Sequence, residues 1–358
     1  MFRWGIIGTG YVARKFAIAL QEHPQHDVTY VWSRTAAHAQ RFAKELGIAQ
    51  VAPSFESCST LAADCVYIAT PPSLHAEQAI ALLKARKPVL IEKPLALAAD
   101  DAQQIVNAAQ AASTFCMEGL WTLHLPLVKS LLEELRKGRI GEVRSISASF
   151  GLANTPEAAD NQFNSQLGGG ALAHRGIYGL ALALAFAGPA ALASAVATMG
   201  GTDVDEDATV VLRHSSGVLS TIRCSLRTRL GNDLVIEGTS GVIRVAAPIY
   251  RPFRATIETF SPTARASGRG SKFERQRESS LVQGLMQRTG GMLMARRGGT
   301  SLSGYYQGNG YIHQAEEARR CIEAGLIESP VAPHARSTEI MQLITQAQRT
   351  FSSARGKS

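Results

Sequence analysis

Residues 2–13, FRWGIIGTGYVA, decide the fold of this chain. Phe2 to Ile7 is a short apolar run, Gly8-Thr9-Gly10-Tyr11-Val12-Ala13 follows at once as a GxGxxA turn, and a helical pattern runs from Val12 to Leu20. Strand, glycine turn and helix in that order form a dinucleotide-binding fingerprint. The glycines let the backbone approach a pyrophosphate, and the helix N-terminus offers it N–H groups that have no partner within the helix. The six residues alone are a weak signal; the strand before them and the helix after them make it considerably stronger. The next strand, Val28 to Trp32, should end beside the adenosine ribose, where an NAD-selective site usually carries Asp or Glu. This chain reads Ser33-Arg34-Thr35 instead. A hydroxyl and a guanidinium suit a 2′-phosphate, so the expected cofactor is NADP(H). NAD(H) is the alternative if Arg34 is only a solvated loop cation.

The same alternation continues downstream. A helix is expected over Ala36 to Leu46, a short strand near Ala49 to Val51 and a helix around Phe55 to Leu61. Cys65 to Thr70 and Val89 to Ile91 read as buried parallel strands, broken by Pro71-Pro72-Ser73 and by Glu92-Lys93-Pro94. Open parallel sheets bind ligands at the carboxyl ends of their strands, which places Thr70, Pro71, His75, Glu92 and Lys93 on the cofactor side, with Lys93 near the nicotinamide. A helix over Ala99 to Ala111 and a strand over Thr114 to Met117 complete a Rossmann-type domain, residues 1–121.

After Pro126 the pattern changes. A helix over Leu127 to Lys137 leads into strands at Val143 to Leu152, Ala191 to Met199, Ala208 to Arg213 and Val218 to Leu226. Leu234 to Glu237 and Val242 to Val245 form a further hairpin, and Ala255 to Phe260 follows. The fold class is therefore an α/β Rossmann domain plus an α+β C-terminal domain, 122–358, with a large, mainly antiparallel sheet. Two helices, about Tyr311 to Ala324 and Thr338 to Ser352, close the chain. Within this domain residues 168–178, GGGALAHRGIY, read as a flexible loop feeding a helix, with His174 and Tyr178 one turn apart on one face. That stretch is either a core helix with two incidental polar residues or the wall of a site.

At 358 residues the chain suits two domains, and 45% hydrophobic with 18% charged residues is the composition of a soluble globular protein. No apolar run approaches the roughly 18 to 20 residues of a membrane span, and the first strand starts at Phe2, leaving no room for a signal peptide; a cytoplasmic protein is expected. The five cysteines are scattered and odd in number, without CxxC spacing, which argues against a disulfide framework or a structural zinc site, so no metal is expected. Of the formal charge of +8, residues 262–304 hold eight Lys or Arg against two Glu, a net of +6. This segment reads as a long basic loop, with room for one helix around Leu281 to Met286, over a cleft or subunit interface. Its arginines sit among Gly and Ser without interleaved aromatics, so nucleic acid is not the favoured partner.

With these residues in hand, the chain resembles the Gfo/Idh/MocA family of glucose-fructose oxidoreductase, inositol dehydrogenase and rhizopine-catabolism proteins. Within it the dimeric dihydrodiol dehydrogenases and NADP-dependent xylose dehydrogenases look closest. WGIIGTGYVA (4–13), VYIATPPSLH (66–75), EKP (92–94), MEGLWTLHLP (117–126), GGGALAHRGIY (168–178), EGTSGVIRV (237–245) and GLIESPVAP (325–333) carry the likeness; the basic segment has no counterpart. The resemblance implies hydride transfer between NADP and a carbinol carbon of a sugar, polyol or diol, with the EKP lysine at Lys93 and the active-site tyrosine at Tyr178. It also implies sheet-to-sheet association into a homodimer or higher homo-oligomer. A free tyrosine, with a pKa near 10, is a poor base at neutral pH, so the Lys93 ammonium and the positive nicotinamide ring are expected to lower it.

Trp121, His124, His174 and Arg175 are expected to shape the substrate end. Two positions leave the family pattern: the Asp one turn before the tyrosine is His174, and an arginine position is Leu123, with His124 beside it. A cofactor-binding regulator or scaffold with little turnover is the alternative that the lost Asp motivates.

Overall fold

A computed structural model describes residues 1–157, 161–261, 279–282, 284 and 299–355. The first strand, β1 (Phe2–Ile7), buries every residue but Arg3, as a strand covered on both faces must. Helix α1 (Tyr11–Gln21), β2 (His26–Trp32), α2 (Ala36–Leu46), β3 (Gln50–Val51), β4 (Cys65–Ile68), α3 (His75–Lys84), β5 (Val89–Glu92), α4 (Ala99–Ala112) and β6 (Cys116–Gly119) follow. The strands form one parallel sheet in the order β3-β2-β1-β4-β5-β6. Strand order reverses between β1 and β4, and at such a switch point a crevice opens at the carboxyl edge. Pairing of Ile7 with Trp32 on one side and Ile68 on the other brings Gly8, Ser33 and Ala69 to that crevice together.

Helix α5 (Pro126–Arg136) begins on a proline, whose missing N–H costs nothing at a first turn. It leads to β7 (Val143–Gly151), and after α6 (Ile177–Ala187) come β8 (Ala190–Met199), β9 (Asp205–His214), β10 (Leu219–Ser225), β11 (Leu234–Gly238), β12 (Gly241–Val245), β13 (Arg254–Thr259) and β14 (Thr300–Ser303). The eight strands run β14-β13-β12-β11-β7-β10-β9-β8, antiparallel except for β7 with β10. Alternation along β7, with Ile146, Ala148 and Phe150 buried, turns one face of the sheet onto α6.

Two expectations are corrected here. The basic segment does not end as loop, because Thr300–Ser303 adds the edge strand β14 to β13; most of that segment lies outside the described residues. By length and composition Ser165–Ala187 is apolar enough to cross a membrane, but 78% of its most apolar 18 residues is buried, as in the core of a folded domain.

The two closing helices, α7 (Ile312–Glu323) and α8 (His334–Arg355), tie the layers together. Helix α7 packs on α1, and α8 packs on both α4 and β8. The stretch between them covers the outer edge of β6, where Cys116 N–H donates to Ile327 O at 3.0 Å and His334 Nε2 meets Cys116 O at 2.9 Å.

Candidate active site

A cleft of about 1140 Å³ runs from the end of β2, across the carboxyl edge of the first sheet, to the face of the second. At its nucleotide end Gly8 sits at φ +110°, and a Cβ there would lie 2.5 Å from Ala69 O, so only glycine fits. Gly10 caps α1 with no side-chain partner, no acid stands in the first turn, and nothing lies within 4 Å of where its Cβ would be. The helix thus presents unpaired amides and open space, which fits a pyrophosphate. Thr9, Tyr11 and Val12 line the same wall, and Ser33, Arg34, Thr35 and His38 line the end beyond β2. Thr70 and Pro71 lie on the opposite wall, Thr70 donating to Gln78 Oε1 at 2.7 Å.

At the other end Lys93 and Tyr178 face each other, the ammonium 5.3 Å from the phenol ring centroid. Lys93 Nζ donates to His174 O at 3.1 Å, so the lysine and the GGG helix are locked together. Burial pushes Lys93 down to about 8, against the opposing pull of Glu92 and Glu118. Burial likewise lifts Glu92 to about 7, although it accepts hydrogen bonds from Tyr67 Oη and, at 3.2 Å, from Lys93 N. Tyr178 is raised well above its ordinary value, first by burial and then by Glu92. The expectation that Lys93 lowers the phenol is therefore corrected: in the free protein desolvation wins. The Trp121 indole N–H lies toward Tyr178 and favours its ionised form, but it lacks the geometry of a formed hydrogen bond.

The helix carrying these groups is not the regular one expected. Leu172–Gly176 is a π-turn in front of α6, an insertion of a kind often found at functional sites. Its entry is fixed by Asp205, whose Oδ2 accepts from Leu172 N at 2.7 Å. Gly170, at φ +125°, has no room for a Cβ beside that carboxylate. His174 lines the cleft with Nε2 buried and unpartnered, and burial with the Lys93 charge pushes its pKa down to about 3. It is a neutral ring, unlike the carboxylate it replaces.

Four expected residues do not do what was anticipated. Ala13 is fully buried and packs α1 on the sheet without reaching the cleft. His75 is also fully buried, its nitrogens 2.9 Å from Thr70 O and 3.0 Å from Pro94 O, so it braces the two strand-end turns instead of touching a ligand. His124 lies away from the cleft with neither nitrogen bonded, and burial brings it to about 3. Arg175 lines the cleft, yet its guanidinium is spent on Leu152 O at 2.6 Å, Ser225 O at 2.5 Å and Gln162 Oε1 at 3.1 Å. Sequence reading missed the aromatic wall. Tyr250 stacks on Phe150 at 5.0 Å, Tyr311 stacks on Trp121 at 4.7 Å, and Tyr250 lies 6.1 Å from Tyr178. Tyr250 is in a turn and Tyr311 at the cap of α7, and nothing in the local pattern of either marks it as facing the cleft.

Comparison with known proteins agrees with this geometry. Residues 2–120 match the model of an oxidoreductase family with an NAD-binding Rossmann fold, and residues 128–244 match the GFO/IDH/MocA C-terminal domain. The trans-1,2-dihydrobenzene-1,2-diol dehydrogenase of Danio rerio is 31% identical over 358 residues, covering 97% of this chain and 96% of the relative. Among solved structures, a 3-ketoreductase from Actinomadura kijaniata, KijD10, in complex with NADP and TDP-benzene, superposes with a TM-score of 0.77 at 23% identity, over 98% of this chain and 97% of its own. A levoglucosan dehydrogenase in complex with NADH and levoglucosan gives 0.80 at 18%, with 98% and 97% covered. These two likenesses speak to the fold alone.

Proposed function

Because the chain belongs to the Gfo/Idh/MocA oxidoreductase family, we propose that it moves a hydride between NADP(H) and the carbinol or carbonyl carbon of a sugar, polyol or cyclic diol. The observation that carries this reading is that the dinucleotide cradle and the Lys93–Tyr178 pair open into one cleft. When bound, the nicotinamide supplies the hydride acceptor or donor. The chain's own residues handle the proton. Tyr178 Oη, held protonated by burial, donates to the nascent alkoxide in reduction; in oxidation the same group must first stand as the phenolate, which then takes the hydroxyl proton. The Lys93 ammonium, fixed on His174 O, orients the reacting oxygen and favours its anionic form. Trp121, Tyr250 and Tyr311 supply the apolar faces against which a sugar or diol ring packs.

The preference for NADP(H) rests on Ser33 and Arg34 at the end of β2, a hydroxyl and a cation where an NAD-selective site usually carries Asp or Glu. Hydride transfer followed by nicotinamide absorbance, over a polyol and sugar panel with each nucleotide, tests the whole reading. Turnover should favour NADP(H), and Arg34→Ala should cost about tenfold or more in NADP affinity. Tight nucleotide binding with no turnover on the panel would leave a binding protein in place of an enzyme.

A further inference from the structure

Among the described residues the substrate half of the cleft holds cations and a single carboxylate, Glu92, which is already engaged by Tyr67 Oη and Lys93 N. Glu56 and Glu77 line the cleft on the nucleotide side, after β3 and on α3. A site for a neutral polyol ordinarily offers carboxylates to its many hydroxyl donors. Here the position one turn before Tyr178 has become a neutral imidazole, which removes the charge that would repel an anion.

Arg251 supplies the matching cation. It follows Tyr250, which stacks on Phe150 and lies 6.2 Å from Trp121, and its guanidinium stands 6.0 Å from the centroid of Tyr306. A Cβ on Gly310 would be 2.9 Å from both Trp121 and Tyr306, so the Tyr306 ring adjoins the Trp121 wall. Arg251 therefore stands at the substrate end. Its Nε donates to Tyr306 Oη at 3.1 Å, the one side-chain hydrogen bond this guanidinium makes among the described residues. That bond fixes the plane of the fork and leaves Nη1 and Nη2 to pair end-on with two oxygens of one anionic group, a geometry that Arg provides and Lys does not. Arg175, the cation singled out by its place in the sequence, cannot do this because its donors already serve backbone carbonyls.

We propose that the substrate carries an anionic group, a carboxylate or a phosphate monoester, which Arg251 holds end-on while the reacting carbinol lies at Tyr178. This rests on the oxidoreductase reading and narrows its substrate to sugar acids or sugar phosphates.

The test uses the full chain with NADP bound and three matched probes: glucose, glucuronate and glucose 6-phosphate. Thermal shift and calorimetry measure binding, and nicotinamide absorbance measures turnover. One or both anionic probes should bind the wild type about tenfold or more tightly than glucose, and comparison of the two tells carboxylate from phosphate. Arg251→Gln should abolish that preference with its own melting point and its NADP affinity unchanged, and Arg251→Lys should keep part of it. Glucose bound as well as its anionic partners, equal losses for charged and neutral probes in Arg251→Gln, or a loss of NADP affinity in that variant would each overturn the proposal. Arg251-dependent anion binding without any hydride transfer would instead sink the oxidoreductase reading and leave the anion site standing.

Discussion

Lys93 and Tyr178 meet with their proton affinities displaced in opposite directions by the same cause, burial. At neutral pH the lysine is still an ammonium and the tyrosine a neutral phenol, which is the protonation state that reduction of a carbonyl needs. Reduction should therefore fall as pH climbs through about 8, where Lys93 loses its proton. The pH profile of kcat/KM for the reductive direction checks this. His174→Asp, which restores a carboxylate beside Lys93, should move that limb upward by about one unit or more, because an opposite charge favours the ammonium. A limb that stays put would show that another group sets it. Tyr178→Phe should cut kcat by about 10² to 10⁴-fold with NADP affinity unchanged; near-normal turnover would remove the phenol from the mechanism. Legibility at this scale divides by burial. Lys93 could be placed because a strand end aims it into the cleft, and Tyr178 through the family resemblance, its own stretch having left a core helix and a site wall both open. His75 looks like a site residue by its place after a strand end and His124 by its place beside a family position, but their side chains turn inward, and sequence spacing does not report that.

The π-turn shows what an element can hide. Three glycines and an apolar helix were readable in residues 168–178, but the extra residue in the turn was not, since no propensity scale distinguishes a π-turn from an α-helix. The turn depends on a partner far away in sequence. Asp205, at the start of β9, receives the Leu172 amide, and Gly170 leaves it room. Asp205→Ala strands that buried donor and should cost about 1 to 3 kcal/mol of stability, with a matching loss of kcat/KM as His174 and its carbonyl contact to Lys93 loosen. Asp205→Asn keeps an acceptor of the same shape and should retain most of both. Burial lifts the Asp205 carboxyl from its ordinary 3.8 to about 7, so the folded chain binds this proton more tightly than the unfolded one. The group's contribution is then fully present below about pH 4 and is lost as pH rises through about 7. Melts at pH 5 and pH 8 should show Asp205→Asn gaining on the wild type at the higher pH. An unchanged gap would mean that this carboxylate is ionised across the whole range.

At the scale of the whole molecule the large sheet is covered on one face by α6 and α8, and among the described residues it is open on the other. Its strands were legible from their alternation, while the outward residues, small and β-branched ones mixed with Arg213, Arg223 and Glu237, gave no local sign of what they meet. Register aligns them into rows. One runs Val196, Thr209, Arg223, Ser149, and another runs Ser194, Val211, Thr221, Ser147, Val235. Val196 is 64% exposed and Leu219 45%, on a face dominated by small and β-branched side chains, which is a surface suited to covering by another sheet. We expect a second copy of this chain to cover it, face to face about a two-fold axis. In such an isologous contact every substitution enters twice. Val211→Glu together with Thr221→Glu would set two carboxylates opposite each other at the centre of the face and repeat them in the partner. With each unpaired buried polar group costing about 1 to 3 kcal/mol, dissociation should rise by a hundredfold or more. Sedimentation velocity at micromolar protein should give a dimer for the wild type and a monomer for the double variant, while far-UV circular dichroism of the variant monitors the intact fold. A wild type that sediments as a monomer, or a double variant that stays dimeric, would place the subunit contact on some other surface.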